Sequence, residues 1–127
     1  MKNIILGSVL AIAAVTSLSA NAVTICTGGT AGDGAAVVSD ATGFVKVGFT
    51  PKCSANVYLD GVDQSSTVYA VAAGSTKGKK IFAGSTAGGS VSPVPGFDCP
   101  STGCIPADVT TKAGEAATAA AGAGTGT

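Results

Sequence analysis

Four cysteines constrain this chain most, because little else in it can hold a fold together. Cys26, Cys53, Cys99 and Cys104 stand among alanine, glycine, serine and threonine, and large apolar side chains are few. An even cysteine count in a small exported chain reads as a disulfide framework, and four cysteines allow three connectivities. The simplest joins Cys26 to Cys53 and Cys99 to Cys104. The second pair closes the loop Cys99-Pro100-Ser101-Thr102-Gly103-Cys104, where proline and glycine favour a turn. The first staples the N-terminal segment to the end of a predicted strand, stabilising by roughly 3 kcal/mol. A zinc site would need paired knuckles; Cys26 and Cys53 are too far apart for one, and no histidine can substitute. A thioredoxin-like centre needs two residues between its cysteines, and the 99–104 loop has four.

The N-terminus gives the compartment in which such bonds form. Lys2 supplies a positive start, Ile4 to Val15 form an apolar run, and Ala20-Asn21-Ala22 offers small residues to a signal peptidase. Residues 1–22 therefore read as a cleaved secretory signal, and the run is shorter than the roughly 20 apolar residues that span a bilayer. The mature chain is expected to begin at Val23, pass through a bacterial periplasm and work outside the cell or on its surface. Thr24-Ile25 ahead of Cys26 lacks the small residue of a lipobox. No second apolar run approaches membrane length, so no membrane insertion is expected after signal cleavage.

Charge and chemistry exclude much. Beyond the signal there are six lysines against six aspartates and Glu115, with no arginine, histidine or tryptophan. Without arginine the bidentate contacts that dominate nucleic-acid recognition are missing, and Lys77, Lys79 and Lys80 make only a small basic cluster. Without histidine the usual general base near neutral pH is missing too. No serine sits in a Gly-x-Ser-x-Gly elbow. Gly74-Ser75-Thr76-Lys77-Gly78-Lys79 fails the phosphate-loop spacing, since Lys80 stands where a hydroxyl is required. No catalytic residue, cofactor or metal set is assigned, and an enzyme is not expected. Asp60-Gly61-Val62-Asp63-Gln64-Ser65 could offer calcium oxygens but reads first as turn chemistry. Tyr58 and Tyr69 are the aromatics expected to point away from the apolar faces, a thin basis for a carbohydrate platform.

Period-two alternation from Val23 to about Val94 predicts short strands separated by turns. Val23 to Thr27 alternates and enters a glycine-rich loop ending at Gly34, before a short apolar segment from Ala35 to Ser39. Phe44 to Thr50 is the clearest predicted strand, with Val45, Val47 and Phe49 on one face. Ala55 to Asp60 predicts another, ending in an Asp60-Gly61 turn. Thr67 to Ala73 and Lys79 to Ala83 predict a hairpin around Gly74 to Gly78. Ala73-Gly74-Ser75-Thr76 recurs as Ala83-Gly84-Ser85-Thr86, which two strand-to-turn passages explain without a repeat architecture. Pro93-Val94-Pro95-Gly96 marks a boundary. Asp108 is expected to N-cap a helix from Val109 to Ala121, with Val109, Ala113, Ala116 and Ala120 on its packing side. The division is thus a signal at 1–22, a disulfide-stapled β domain at 23–106 and an Ala/Gly-rich segment at 107–127 that is expected to be a short helix or a disordered tail, its low-complexity end from Gly122 to Thr127 disordered.

Val23-Thr24-Ile25-Cys26, then Val45-Lys46-Val47-Gly48-Phe49-Thr50-Pro51-Lys52-Cys53 and Ala55 to Asp60, resemble small bacterial pilin and spore-coat-U-type subunits over roughly residues 23–90. The resemblance implies an all-β, incomplete immunoglobulin-like sandwich that a neighbour's strand completes. Such pilins typically end in a strand with a tyrosine near its end, where this sequence has its Ala/Gly-rich segment. Small side chains, few charges and the uncharged, proline-free stretch Ile81 to Ala87 also favour self-association. The expected role is an extracellular structural protein, a self-assembling fibre, pilus or matrix subunit. The alternative is a monomeric exported binding or adhesion module that recognises glycan or a surface protein through loops near Asp33 and Asp60.

Overall fold

The computed structural model describes residues 21–123. The expected signal lies outside them except for Asn21 and Ala22, and so does the low-complexity end except for Gly122 and Ala123, which are helical. The described chain is mostly β, with two antiparallel sheets, one C-terminal helix and two disulfides. Strands β1 (Asn21–Thr27), β4 (Val57–Ser65), β5 (Val68–Ser75), β6 (Ile81–Ser85) and β7 (Ser92–Pro93) form one sheet in the order β1-β4-β5-β6-β7. Strands β2 (Gly32–Asp33) and β3 (Lys52–Cys53) form the other. Helix α1 spans Pro106–Ala123.

The central strand β5 shows how period two becomes two faces. Val68, Ala70, Ala72 and Gly74 are buried, and the residues between them are half-buried. Ala70 and Ala72 of the buried set lie under α1 in a core with Val62, Ile81, Cys99, Cys104, Val109, Ala113 and Ala117. The half-buried set faces the arm that runs out through β2 and back through β3. There Ile25, Cys26, Val37 and Val45 make a second core, with Val23, Cys53, Leu59 and Tyr69 packed against it. The molecule is therefore layered as helix, sheet and irregular arm.

The helix starts earlier than expected. Pro106 takes the first helical position, where its missing N–H costs nothing, and Asp108 lies inside the first turn rather than at the cap. An acidic side chain there still complements the helix dipole. Val109, Ala113, Ala117 and Ala120 are buried, and Ala116 is partly so. The segment expected to be a tail thus covers one face of the sheet.

Two strand expectations are corrected. Phe44 to Thr50 forms no strand: only Phe49 pairs, in an isolated bridge with Val37, while Val47 is 80% exposed. The backbone of this segment is diverted by a side chain. Asp63 accepts hydrogen bonds from the N–H of Phe44 at 2.8 Å and of Val45 at 3.3 Å. Lys46 Nζ donates to Ala41 O at 2.8 Å, which bends the arm further. The turn expected at Asp60-Gly61 is the middle of β4, whose chain reverses after Ser65 instead. The β5–β6 hairpin is present, with Gly74 opposite Ile81 and Ala72 opposite Ala83. Both copies of the Ala-Gly-Ser-Thr echo run from a strand end into a turn.

Candidate interaction surfaces

The disulfides follow the simplest connectivity, Cys26–Cys53 and Cys99–Cys104, and no described cysteine is free. The first clips β1 to the returning arm, and the second sits in the core under α1. Two such bonds suggest an oxidising environment. No helix among the described residues is long and apolar enough to cross a membrane.

The carboxylates thought able to converge on calcium are separated by the sheet. Asp60 is 4% exposed on the helix side, where Thr110 Oγ1 of α1 donates a hydrogen bond to it. Asp63, three residues on in a strand, faces the arm and holds its backbone. Asp33 pairs with Lys52 at the surface. No group of three or more metal-ligating side chains occurs among the described residues. Sequence reasoning missed Thr110 as the partner of Asp60, because nothing local to either residue announces a contact fifty positions apart.

The tyrosines are not platforms. Tyr58 packs on the helix-side core and Tyr69 on the arm-side core. Each lies across a glycine. A Cβ at Gly28, which also has a positive φ of 76°, would run into the Tyr58 ring, and one at Gly61 into the Tyr69 hydroxyl. The Tyr69 hydroxyl is buried without a hydrogen-bond partner. Burial, and then the Asp63 carboxylate, push its pKa above the usual phenol value. At the arm's tip Asp40 accepts the Thr42 N–H and hydroxyl, each at 2.8 Å, and the backbone bond foremost holds its carboxyl below the ordinary range.

Two surfaces of the described residues present strand edge or sheet face to a partner. One is the outer edge of β1, the terminal strand of its sheet. Ala35 N–H reaches Ile25 O at 2.9 Å, and beyond that point the arm diverges. A cleft of about 390 Å³ then lies among Ala22, Val23, Val38, Ser39, Asp63 and Tyr69. The opposite edge is guarded: β6 pairs with β7 through Phe82–Pro93 and Ala83–Ser92, and Val94 N–H reaches Ile81 O at 2.8 Å. The stretch Ile81 to Ala87, expected to be the vulnerable edge, is therefore covered over its first residues.

The second surface is the arm-side face of β5 and β6 around Ala73 and Phe82, away from the arm-side core at Tyr69. Val57, Ala73 and Phe82 line a shallow depression of about 440 Å³ there, with Lys79 and Lys80 on its rim. Phe82 is 45% exposed, and neighbouring Val91, lying against Gly84, is 63% exposed. No family model, curated protein or solved structure matches the chain.

Proposed function

We propose that this chain is an exported structural subunit that joins copies of itself into a fibre, pilus or matrix through strand addition at the outer edge of β1. The observation carrying this reading is that the mature part of β1, Val-Thr-Ile-Cys-Thr, ends its sheet without a charged side chain or a proline. Natural edges usually carry such protection, and an edge lacking it is a template for another strand. The contrast with Pro93 at the other edge makes β1 the side on which a neighbour would add. On this reading the immunoglobulin-like sandwich of the pilin resemblance is completed between molecules. Export through the 1–22 signal belongs to the same proposal, and the paired cysteines support it. The subunit acts as a building block, with no catalysis and no nucleic-acid partner. A monomeric adhesion module working through loops at Asp33 and Asp60 has less support, because Asp60 lies in mid-strand beneath α1 and Asp33 is paired.

Negative-stain microscopy of material sheared from producing cells tests the proposal. Filaments are expected there, together with multimers of the purified protein that resist mild detergent. Thr24→Lys, which places a charge on the exposed edge, is expected to abolish or shorten the filaments while leaving the monomer's melting temperature unchanged. Wild-type protein that stays monomeric at high concentration, from cells that bear no filaments, overturns the proposal.

A further inference from the structure

We propose that the open face of β5 and β6 is a peripheral docking surface for an anionic lipid bilayer. The face combines half-exposed Phe82 with Val57 and Ala73; Lys79 and Lys80 stand on its rim, and Lys77 lies in the turn that joins the two strands. The described residues hold six lysines against seven acids, yet three of those lysines gather here. The other three are held elsewhere: Lys46 by Ala41 O, Lys52 by Asp33 and Lys112 by Glu115. On the rim only Lys80 has an ion-pair partner, Asp98, and Lys77 and Lys79 have none among the described residues.

Charge complementarity decides the occupant. A second copy has no acidic patch with which to meet these lysines. Asp60 is buried under the helix, Asp40 and Asp63 hold backbone N–H groups, and Asp33 and Glu115 are paired. Asp98 sits on the rim itself, and Asp108 stands in the first turn of α1. An anionic bilayer offers both things the face lacks: a plane of negative phosphates and apolar depth beneath it. Phe82 and Val57 enter the headgroup–acyl boundary while lysine stems lie along the apolar surface with their ammonium groups at the phosphates. This goes beyond assembly through β1, which lies at the far end of the sheet order, so the two contacts are testable apart.

Flotation of the monomeric protein with vesicles of phosphatidylcholine alone, or doped with phosphatidylglycerol, tests the proposal. Binding is expected only to the doped vesicles and is released by high salt. The double variant Lys77→Gln/Lys79→Gln is expected to lower partitioning about thirtyfold, and Phe82→Ser about tenfold. Circular dichroism of each variant checks that the fold is kept. Equal binding to both vesicle types, binding to neither, or binding indifferent to the lysine changes overturns the proposal. Loss of self-association in the lysine variant, with vesicle binding unchanged, would assign the face to a second copy instead.

Discussion

Tyr69 concentrates the compromises of this fold in one side chain. Its ring fills the space above Gly61 and touches the arm-side core, and Phe44 packs nearby with ring centroids 6.3 Å apart. Its hydroxyl is carried into that core without a partner. A buried polar group left unsatisfied costs about 1–3 kcal/mol. Tyr69→Phe keeps the ring and removes the orphan, so it is expected to raise stability by about 1 kcal/mol in urea titrations. The same change alters the pH response. Because the folded pKa of Tyr69 lies above its ordinary value near 10, the unfolded chain loses this proton first. Stability contributed by the neutral phenol is therefore present below that pH and falls as pH rises towards the folded value. Thermal melts of wild type should decline over that range, and those of Tyr69→Phe should decline less.

At the scale of elements, α1 has helix-forming composition and a packing face of methyl groups. Ala113 and Ala117 are fully buried with Ala70 and Ala72, which leaves no room for a longer side chain. Ala117→Leu is expected to destabilise by about 1–3 kcal/mol through overpacking, whereas Ala119→Leu on the exposed side should fall within about 0.5 kcal/mol of wild type. Denaturant midpoints of the two variants provide the comparison. This helix was legible from Val109, Ala113 and Ala120 at helical spacing, and β5 and β6 from their alternation. The misread elements share a physical cause. Val45, Val47 and Phe49 alternate as a strand should, but Asp63 takes the backbone donors that a ladder would need. Asp60-Gly61 has turn composition, but Asp60 is there for Thr110 and Gly61 for Tyr69. Such long-range pairings leave no local pattern to read. The open surfaces were illegible for a related reason: which strand ends a sheet depends on the order of pairing, and that order is not written in any single segment.

For the whole molecule, two covalent clips secure two thin cores. Cys26 and Cys53 are separated by 27 residues and Cys99 and Cys104 by 5. In the chain-entropy account, removing the first bond costs about 3–4 kcal/mol and the second about 2 kcal/mol. Paired serine variants compared by urea unfolding should show that order. The clip near the N-terminus also ties the arm to β1, so its loss should unsettle the edge proposed to receive a neighbour before it disturbs the helix-covered core. Hydrogen exchange of the Cys26→Ser/Cys53→Ser protein would show faster exchange at Val37 and Phe49 than at Ala70 and Ala72.

The position of α1 along the chain also sets a timetable. Every strand of the main sheet is encoded before Pro106, and the helix that closes over Val62, Ala70, Ala72 and Ile81 comes after all of them. A nascent chain that has emerged only as far as β7 has its sheet residues but not the helix that covers them, so its principal core closes only once α1 has emerged. The last element to be made is thus the one that turns an exposed sheet face into an interior.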